Sequence, residues 1–475
     1  MSKVTIILVT LVLYKIALVL LGLWAQQRTQ DGSDYFLGGR QLGPWVAALS
    51  ASASSSSAWT LMGVSGFAYT YGLSSLLLIP ACVGGFALNW YVLAGPLQQV
   101  SRAEGALTTT ELLAGPKGSR LRTAIVWVAS MIILISLTVY VASQFQGAGK
   151  AFKNTFGMGL QSSILLGSGV VVFYTMLGGF WAVSLTDTLQ GAMMAITAII
   201  LPVGALVAVG GPASFVDGLQ QIQIPGYLSL LGNREITPGL MFAIAILGIG
   251  LGYTGQPHVV NRFMALKDDP KALKTARRVA MTWAWVVYIG MVLLGLCGRL
   301  LVQKLGDNEV IFVQLANQLF HPIVSGIMLA AVLSAIMSTA DSQLLVAASS
   351  VAHDLMKPSS SDKQTILRAR VVVLLLSVAA VLLALYGSKK IFSSVLFAWS
   401  AMGNAFGPLL ILTVLRRRVP PTQTLVAMLA GFGLSVLFYS HPATSKTLFE
   451  RVVPFVVCFV IAAWPFTSHP QKTSS

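Results

Sequence analysis

Gly248-Ile249-Gly250-Leu251-Gly252-Tyr253-Thr254-Gly255-Gln256-Pro257 decides how this chain folds. It lies inside an apolar run near 237–261 and holds four glycines and a proline in ten residues. A helix cannot pass through such a stretch undistorted. Irregular backbone is not tolerated against lipid, so the break must line a polar cavity or be covered by protein. A second disturbed run is Ser50-Ala51-Ser52-Ala53-Ser54-Ser55-Ser56-Ser57, in which six of eight residues are serine. Serine hydroxyls compete for the backbone bonds of a helix. Broken helices at corresponding places in two halves of a chain point to the binding site of a secondary transporter built from an inverted repeat.

The rest of the sequence supports a membrane setting. Of 475 residues, 55% are hydrophobic and 10% charged, with a mean hydropathy of +0.78. Soluble domains carry about 25% charged residues. We read an all-α integral membrane protein with about 13 transmembrane helices, since a span needs about 20 apolar residues. The runs fall near 4–24, 43–68, 72–95, 122–147, 160–181, 185–209, 237–261, 278–302, 321–352, 368–388, 390–415, 423–440 and 449–467. The serine break is then in the second span and the Gly-Pro break in the seventh, which predicts two inverted five-helix repeats. The expected organisation is an extra N-terminal helix at 1–25, a repeat core at 33–418, and two C-terminal helices with a short cytoplasmic tail at 419–475. Leu11–Trp24 leads into Ala25-Gln26-Gln27-Arg28, which is not a cleavage site, so the first run is read as a retained helix.

The formal net charge is +16, but its distribution argues against a nucleic-acid partner. With the N-terminus outside and the C-terminus cytoplasmic, inward segments hold 20 of the 31 Lys and Arg, outward segments hold 10, and Lys15 falls within the first span. That is the positive-inside bias of a multi-pass cell-membrane protein. Cys82, Cys297 and Cys458 sit in separate apolar runs without metal or redox spacing. No nucleotide-binding loop, Gly-x-Ser-x-Gly or His-Glu-x-x-His occurs. The expectation is a non-enzyme without cofactors, driven by an ion gradient.

The chemistry concentrates in Met337-Ser338-Thr339-Ala340-Asp341-Ser342-Gln343, within an apolar run whose only charge is Asp341. A carboxylate at that depth is expensive and marks a functional site. Ser334, Ser338, Asp341, Ser342 and Ser349 fall on one helical face about 100° wide. Hard oxygen donors with one negative charge suit a small hard cation. The other reading of this stripe is a helix contact, with hydroxyls bonded to carbonyls. Asp187, also ringed by hydroxyls, either joins a cation route or serves the start of its helix. Trp59, Tyr140 and Tyr253 lie near the breaks and are candidates for a solute wall or for ordinary packing.

Four stretches resemble the sodium:solute symporter family: Tyr35-Phe36-Leu37-Gly38-Gly39-Arg40; Gly178-Gly179-Phe180-Trp181 with Thr186-Asp187; Gly252-Tyr253-Thr254-Gly255-Gln256-Pro257-His258 with Arg262-Phe263; and Ser338-Thr339-Ala340-Asp341-Ser342-Gln343. The resemblance implies a leucine-transporter-like core that alternates access to a central site. Its sodium ligands would be Ala53, Ser56, Ala335, Ser338 and Thr339. A second ion, bound by some members, would meet Asp187, Ser338, Asp341 and Ser342. The chain looks closest to the proline-transporting branch, sharing Gln256-Pro257-His258, Trp59, Tyr140 and Tyr253. It departs at Ser55, where that branch has aspartate, and at Ile249, where it has tryptophan. The solute site implied is Ser55, Trp59, Tyr140, Ile249, Tyr253, Gln256 and Pro257. The expected function is sodium-coupled symport of a small organic solute, an amino acid such as proline or a small carboxylate. The alternatives are a proton-coupled symporter of the same fold and a transporter-like solute sensor. The expected partners are sodium, the solute and the bilayer, with one chain as the transport unit.

Overall fold

A computed structural model describes residues 1–26, 37–115, 118–177, 180–356, 362–388, 390–415 and 419–464. Tyr35-Phe36 and Gly178-Gly179 lie outside the described residues. Among the described residues all regular secondary structure is helical, apart from one isolated bridge between Leu42 and Leu266.

Among the described residues, ten helices are long and apolar enough to cross a membrane. The difference from the expected count has a local cause. Pro44–Ser55 has 12 residues and Val453–Ala463 has 11, too few to cross alone, and Leu160–Met176 also falls short of a full span. The second half of the broken second span runs on into the third as one helical stretch, Trp59–Ala103. The chain turns there at Gly72, whose φ is +59°. A Cβ on Gly72 would lie 2.1 Å from the Tyr227 carbonyl oxygen, so only glycine fits that turn.

Burial separates the core from its periphery. The most apolar windows of Ile391–Val414 and Pro322–Leu355 are 94% and 83% buried, against 17% for Lys3–Trp24 and 28% for Gln364–Tyr386. The outer helices present Leu and Val to lipid, whereas the inner ones are rich in Gly, Ala and Ser, which let backbones approach closely.

Both breaks occur where the sequence placed them, and they share a conformation. Ser56 has φ −125° and ψ 101°, and Gln256 has φ −95° and ψ 103°. Pro257 disfavours a helical conformation at Gln256 and then starts the Pro257–Ala265 helix. At the serine break, the Ser57 hydroxyl accepts from the Trp59 amide at 3.1 Å and so restarts the helix. The packing is also repeated. Pro44–Ser55 approaches Phe180–Val209 at Gly191, where a Cβ would lie 3.0 Å from the Leu49 carbonyl oxygen. Gly248–Gly255 approaches Ile391–Val414 at Gly403, where a Cβ would lie 2.5 Å from the Gly252 Cα. Each first half-helix thus lies against the last helix of its own five-helix unit, across a glycine.

A Cβ on Gly252 would fall 2.3 Å from Trp399 Cδ1. Gly252→Ala is therefore expected to destabilise by about 1–3 kcal/mol through overpacking. Gly433, with nothing within 4 Å of an added Cβ, is the control. Gly433→Ala should be neutral or stabilising by up to about 1 kcal/mol. Thermal melting in detergent distinguishes them, and equal melting of the two variants would refute the steric account.

Candidate functional site

The serine break frees backbone carbonyls, and the Pro322–Ser349 helix brings hydroxyls to them. The Ala53 carbonyl accepts from the Ser56 amide at 3.1 Å, from Ser338 Oγ at 3.2 Å and from Thr339 Oγ1 at 3.5 Å. Ser338 Oγ also lies 3.3 Å from the Ala335 carbonyl. Among the described residues, the buried Ser56 hydroxyl has no hydrogen-bond partner. These bonds are long, and one oxygen stands unsatisfied in a dry interior. Such a cluster of neutral oxygens from two elements has the chemistry to hold a small hard cation.

Asp187 and Ser342 belong to a different cluster. Asp187 Oδ2 accepts from Ser50 Oγ at 2.8 Å, Ser54 Oγ at 3.0 Å and Arg262 Nη2 at 3.1 Å. Arg262 Nη2 also lies 2.5 Å from Ser342 Oγ, and its Nε donates to Ser50 Oγ at 3.1 Å. A further bond runs from the guanidinium to the His258 carbonyl. Asp187 and Arg262 are both fully buried. The positive-inside count takes Arg262 as one of the inward-loop cations. Instead it sits within Pro257–Ala265 and neutralises Asp187, which lies beyond the first turn of Phe180–Val209 and so does not serve that helix start. The fork geometry of arginine lets one cation bind four acceptors at once.

The hydroxyl stripe does not act as one unit. Ser334 pairs with Tyr14 at 2.5 Å, Ser338 turns to Ala53, Asp341 accepts from Thr175, and Ser349 bonds within its own helix. The helix is surrounded, so a single face meets several neighbours.

Ser55, Trp59, Tyr140, Ile249 and Tyr253 line one cavity between the two breaks, together with Val395, Leu396 and Trp399. The last three come from Ile391–Val414 and were not expected. The Trp399 ring packs edge-on to Tyr253 at 4.6 Å and to Tyr140 at 6.3 Å between centroids. Its Nε1 donates to the Ile249 carbonyl at 3.3 Å. Gln256 and Pro257 are not among the lining residues. The Gln256 amide instead donates to the carbonyls of Gly252 and Trp399 at 2.8 and 3.0 Å, bracing the break against Ile391–Val414. The cavity walls carry no formal charge, and their shape is set by aromatic rings.

Above the cavity, Lys150 pairs with Asp307 at 2.7 Å and with Glu309. The positive-inside count takes Lys150 as one of the ten outward cations, yet it is buried, in Arg122–Phe156. The Glu309 carboxylate accepts from the Ile391 and Phe392 amides at 3.1 and 2.8 Å, capping the helix that carries Trp399. Phe392 in turn stacks on Phe67 at 5.0 Å and lies 5.6 Å from the Trp59 ring.

Comparison with known proteins agrees with this geometry. The pattern of the sodium:solute symporter family matches residues 35–431. The osmoregulated proline transporter OpuE of Bacillus subtilis (strain 168) is 36% identical over 479 residues, covering 98% of this chain and 96% of the relative. The sodium/proline symporter of Escherichia coli (strain K12) is 35% identical, covering 93% and 89%. A Na+-coupled sialic acid symporter, solved in a substrate-bound outward-open state, superposes with a TM-score of 0.78 over 96% of both chains at 20% identity, a likeness of fold. The paired breaks, the oxygen cluster and the near-full-length relatives lead to one assignment: the chain belongs to the sodium:solute symporter family, membrane transporters that couple a solute to sodium rather than enzymes.

Proposed function

We propose that this protein carries a small amino acid, with proline as the first candidate, into the cell together with sodium. The observation that carries the reading is the convergence of the Ala53 carbonyl, Ser338 and Thr339 across the serine break. An ion held there bonds the broken helix to Pro322–Ser349 only when the two are in register. Its differential affinity for that state couples it to solute binding, because the cavity wall begins at Ser55, two residues after Ala53. The ligands are Ala53, Ser56, Ala335, Ser338 and Thr339. The solute contacts are Ser55, Trp59, Tyr140, Ile249 and Tyr253, with Val395, Leu396 and Trp399 added. An uncharged aromatic cavity suits a compact solute with an apolar ring, whose charged ends meet the exposed backbone of the two breaks. Relatives named for proline support that choice. The core is 33–418, flanked by 1–25 and 419–475, with the N-terminus outside and the C-terminus in the cytoplasm.

Thr339→Ala and Ser338→Ala should each raise the sodium concentration for half-maximal uptake about tenfold, the effect of losing roughly 1.4 kcal/mol of ion binding. The protein should still insert and fold. Proline should also enlarge a sodium-specific rise in melting temperature, since ligands of the folded state stabilise it by mass action. Parental sodium dependence in both variants would overturn the site.

A further inference from the structure

Lys15 lies near the middle of the 24-residue Lys3–Gln26 helix, at a depth where a lysine is costly unless paired or able to reach water. That helix packs against Pro322–Ser349, held by the bond between Tyr14 and Ser334. Lys15 is half-buried, and its ammonium reaches inward to the Met337 sulfur. A thioether is a weak acceptor and leaves most of an ammonium's hydrogen-bonding capacity unused. One helical turn beyond Met337, on the same face, stands Asp341. Its Oδ1 accepts from Thr175, while its Oδ2 is buried without a partner among the described residues. Each group lacks what the other offers.

We propose that Lys15 is the counter-cation of Asp341, a tethered ammonium in the place that a free cation would otherwise take at this carboxylate. The nearby Asp187 is already neutralised by Arg262. With both pairs formed, the ionised groups of this region sum to zero, and a free cation beside Asp341 would leave an unbalanced positive charge in a medium that opposes it. Sodium is then confined to the oxygen cluster of Ala53, Ser338 and Thr339, and one sodium ion moves per solute. This inference rests on the sodium-symport reading above.

The test is a charge cycle in the full-length protein, with Lys15→Met, Asp341→Asn and the double variant reconstituted in liposomes. Each single change should lower proline uptake by roughly tenfold, since it strands one charge in the membrane interior. The double variant should recover to within about threefold of the parent, the sign of direct coupling. Lys15→Arg, which keeps the charge, should stay near the parent. If Lys15→Met does not accumulate, recovery of accumulation by adding Asp341→Asn carries the same information. A double variant no better than the worse single would overturn the proposal. So would a Lys15→Met variant identical to the parent, which would mark a lysine reaching along the helix to water. Sodium activation of the parent should be hyperbolic, and a Hill coefficient near two would refute the single-ion claim. Thr339→Ala reads the oxygen cluster separately, so failure of the sodium site and failure of the charge pair give different results.

Discussion

Arg262→Met is expected to abolish uptake and to destabilise the protein by about 3–5 kcal/mol, the cost of stranding a buried carboxylate. Asp187 and Arg262 have no solvent exposure, so water cannot screen the loss. The guanidinium also serves Ser50, Ser342 and the His258 carbonyl. It therefore ties together both broken helices, Phe180–Val209 and Pro322–Ser349. Ser50 and Ser54 precede the serine break, and Ser342 follows Thr339 by three residues, so the network sits on one side of the oxygen cluster. In the proposed orientation that side faces the cytoplasm. Arg262→Lys should not rescue, because a point charge cannot reach these acceptors together. Replacing both partners by apolar residues should restore much of the stability, since no charge is then left unpaired, while uptake stays lost. Melting in detergent and uptake into liposomes read the two effects separately. An Arg262→Met variant that melts like the parent would show that the pair does not hold the helices.

Glu309→Ala is expected to cost about 2–4 kcal/mol and to speed release of bound solute. The change removes the cap on the Ile391 and Phe392 amides, and it takes one of two carboxylates from Lys150. The freed end of Ile391–Val414 carries Phe392, which closes over Phe67 and Trp59 at the outer end of the cavity. Glu309→Gln keeps one carbonyl acceptor and should fall between parent and alanine. The dissociation rate of labelled solute is the decisive readout. Unchanged release with lowered melting would mean that the cap supports the fold alone.

Much of the architecture was legible because it is written in backbone chemistry. Gly252, Gly255 and Pro257 fall in a cluster dense enough to break a helix, and Ser56-Ser57 lies in a run that weakens one. Trp59 and Tyr253 draw notice because they stand beside those breaks, whereas Ser55 and Ile249 enter only through the family resemblance. What escaped depended on partners distant in sequence. Arg262 and Asp187 are 75 positions apart and meet only after the helices pack. Glu309 and Lys150 read as loop charges because their burial depends on the segment after Asp307 folding back over the bundle. Val395, Leu396 and Trp399 look like ordinary members of an apolar span. Repeat symmetry held the missing signal. If Pro44–Ser55 lies on Phe180–Val209, the glycine-rich half-helix should lie on Ile391–Val414, which carries those three residues.

Gly252 and Gly403 meet almost backbone to backbone, so the spacing between the seventh-span break and Ile391–Val414 admits no adjustment by side-chain size. Evolution of a new specificity on this frame has to proceed by exchanging wall residues, at positions such as Ser55, Ile249, Val395 and Leu396, while the scaffold stays constant. Directed evolution toward a bulkier or more polar solute should accordingly accumulate its changes at those four positions and leave the glycine seam untouched.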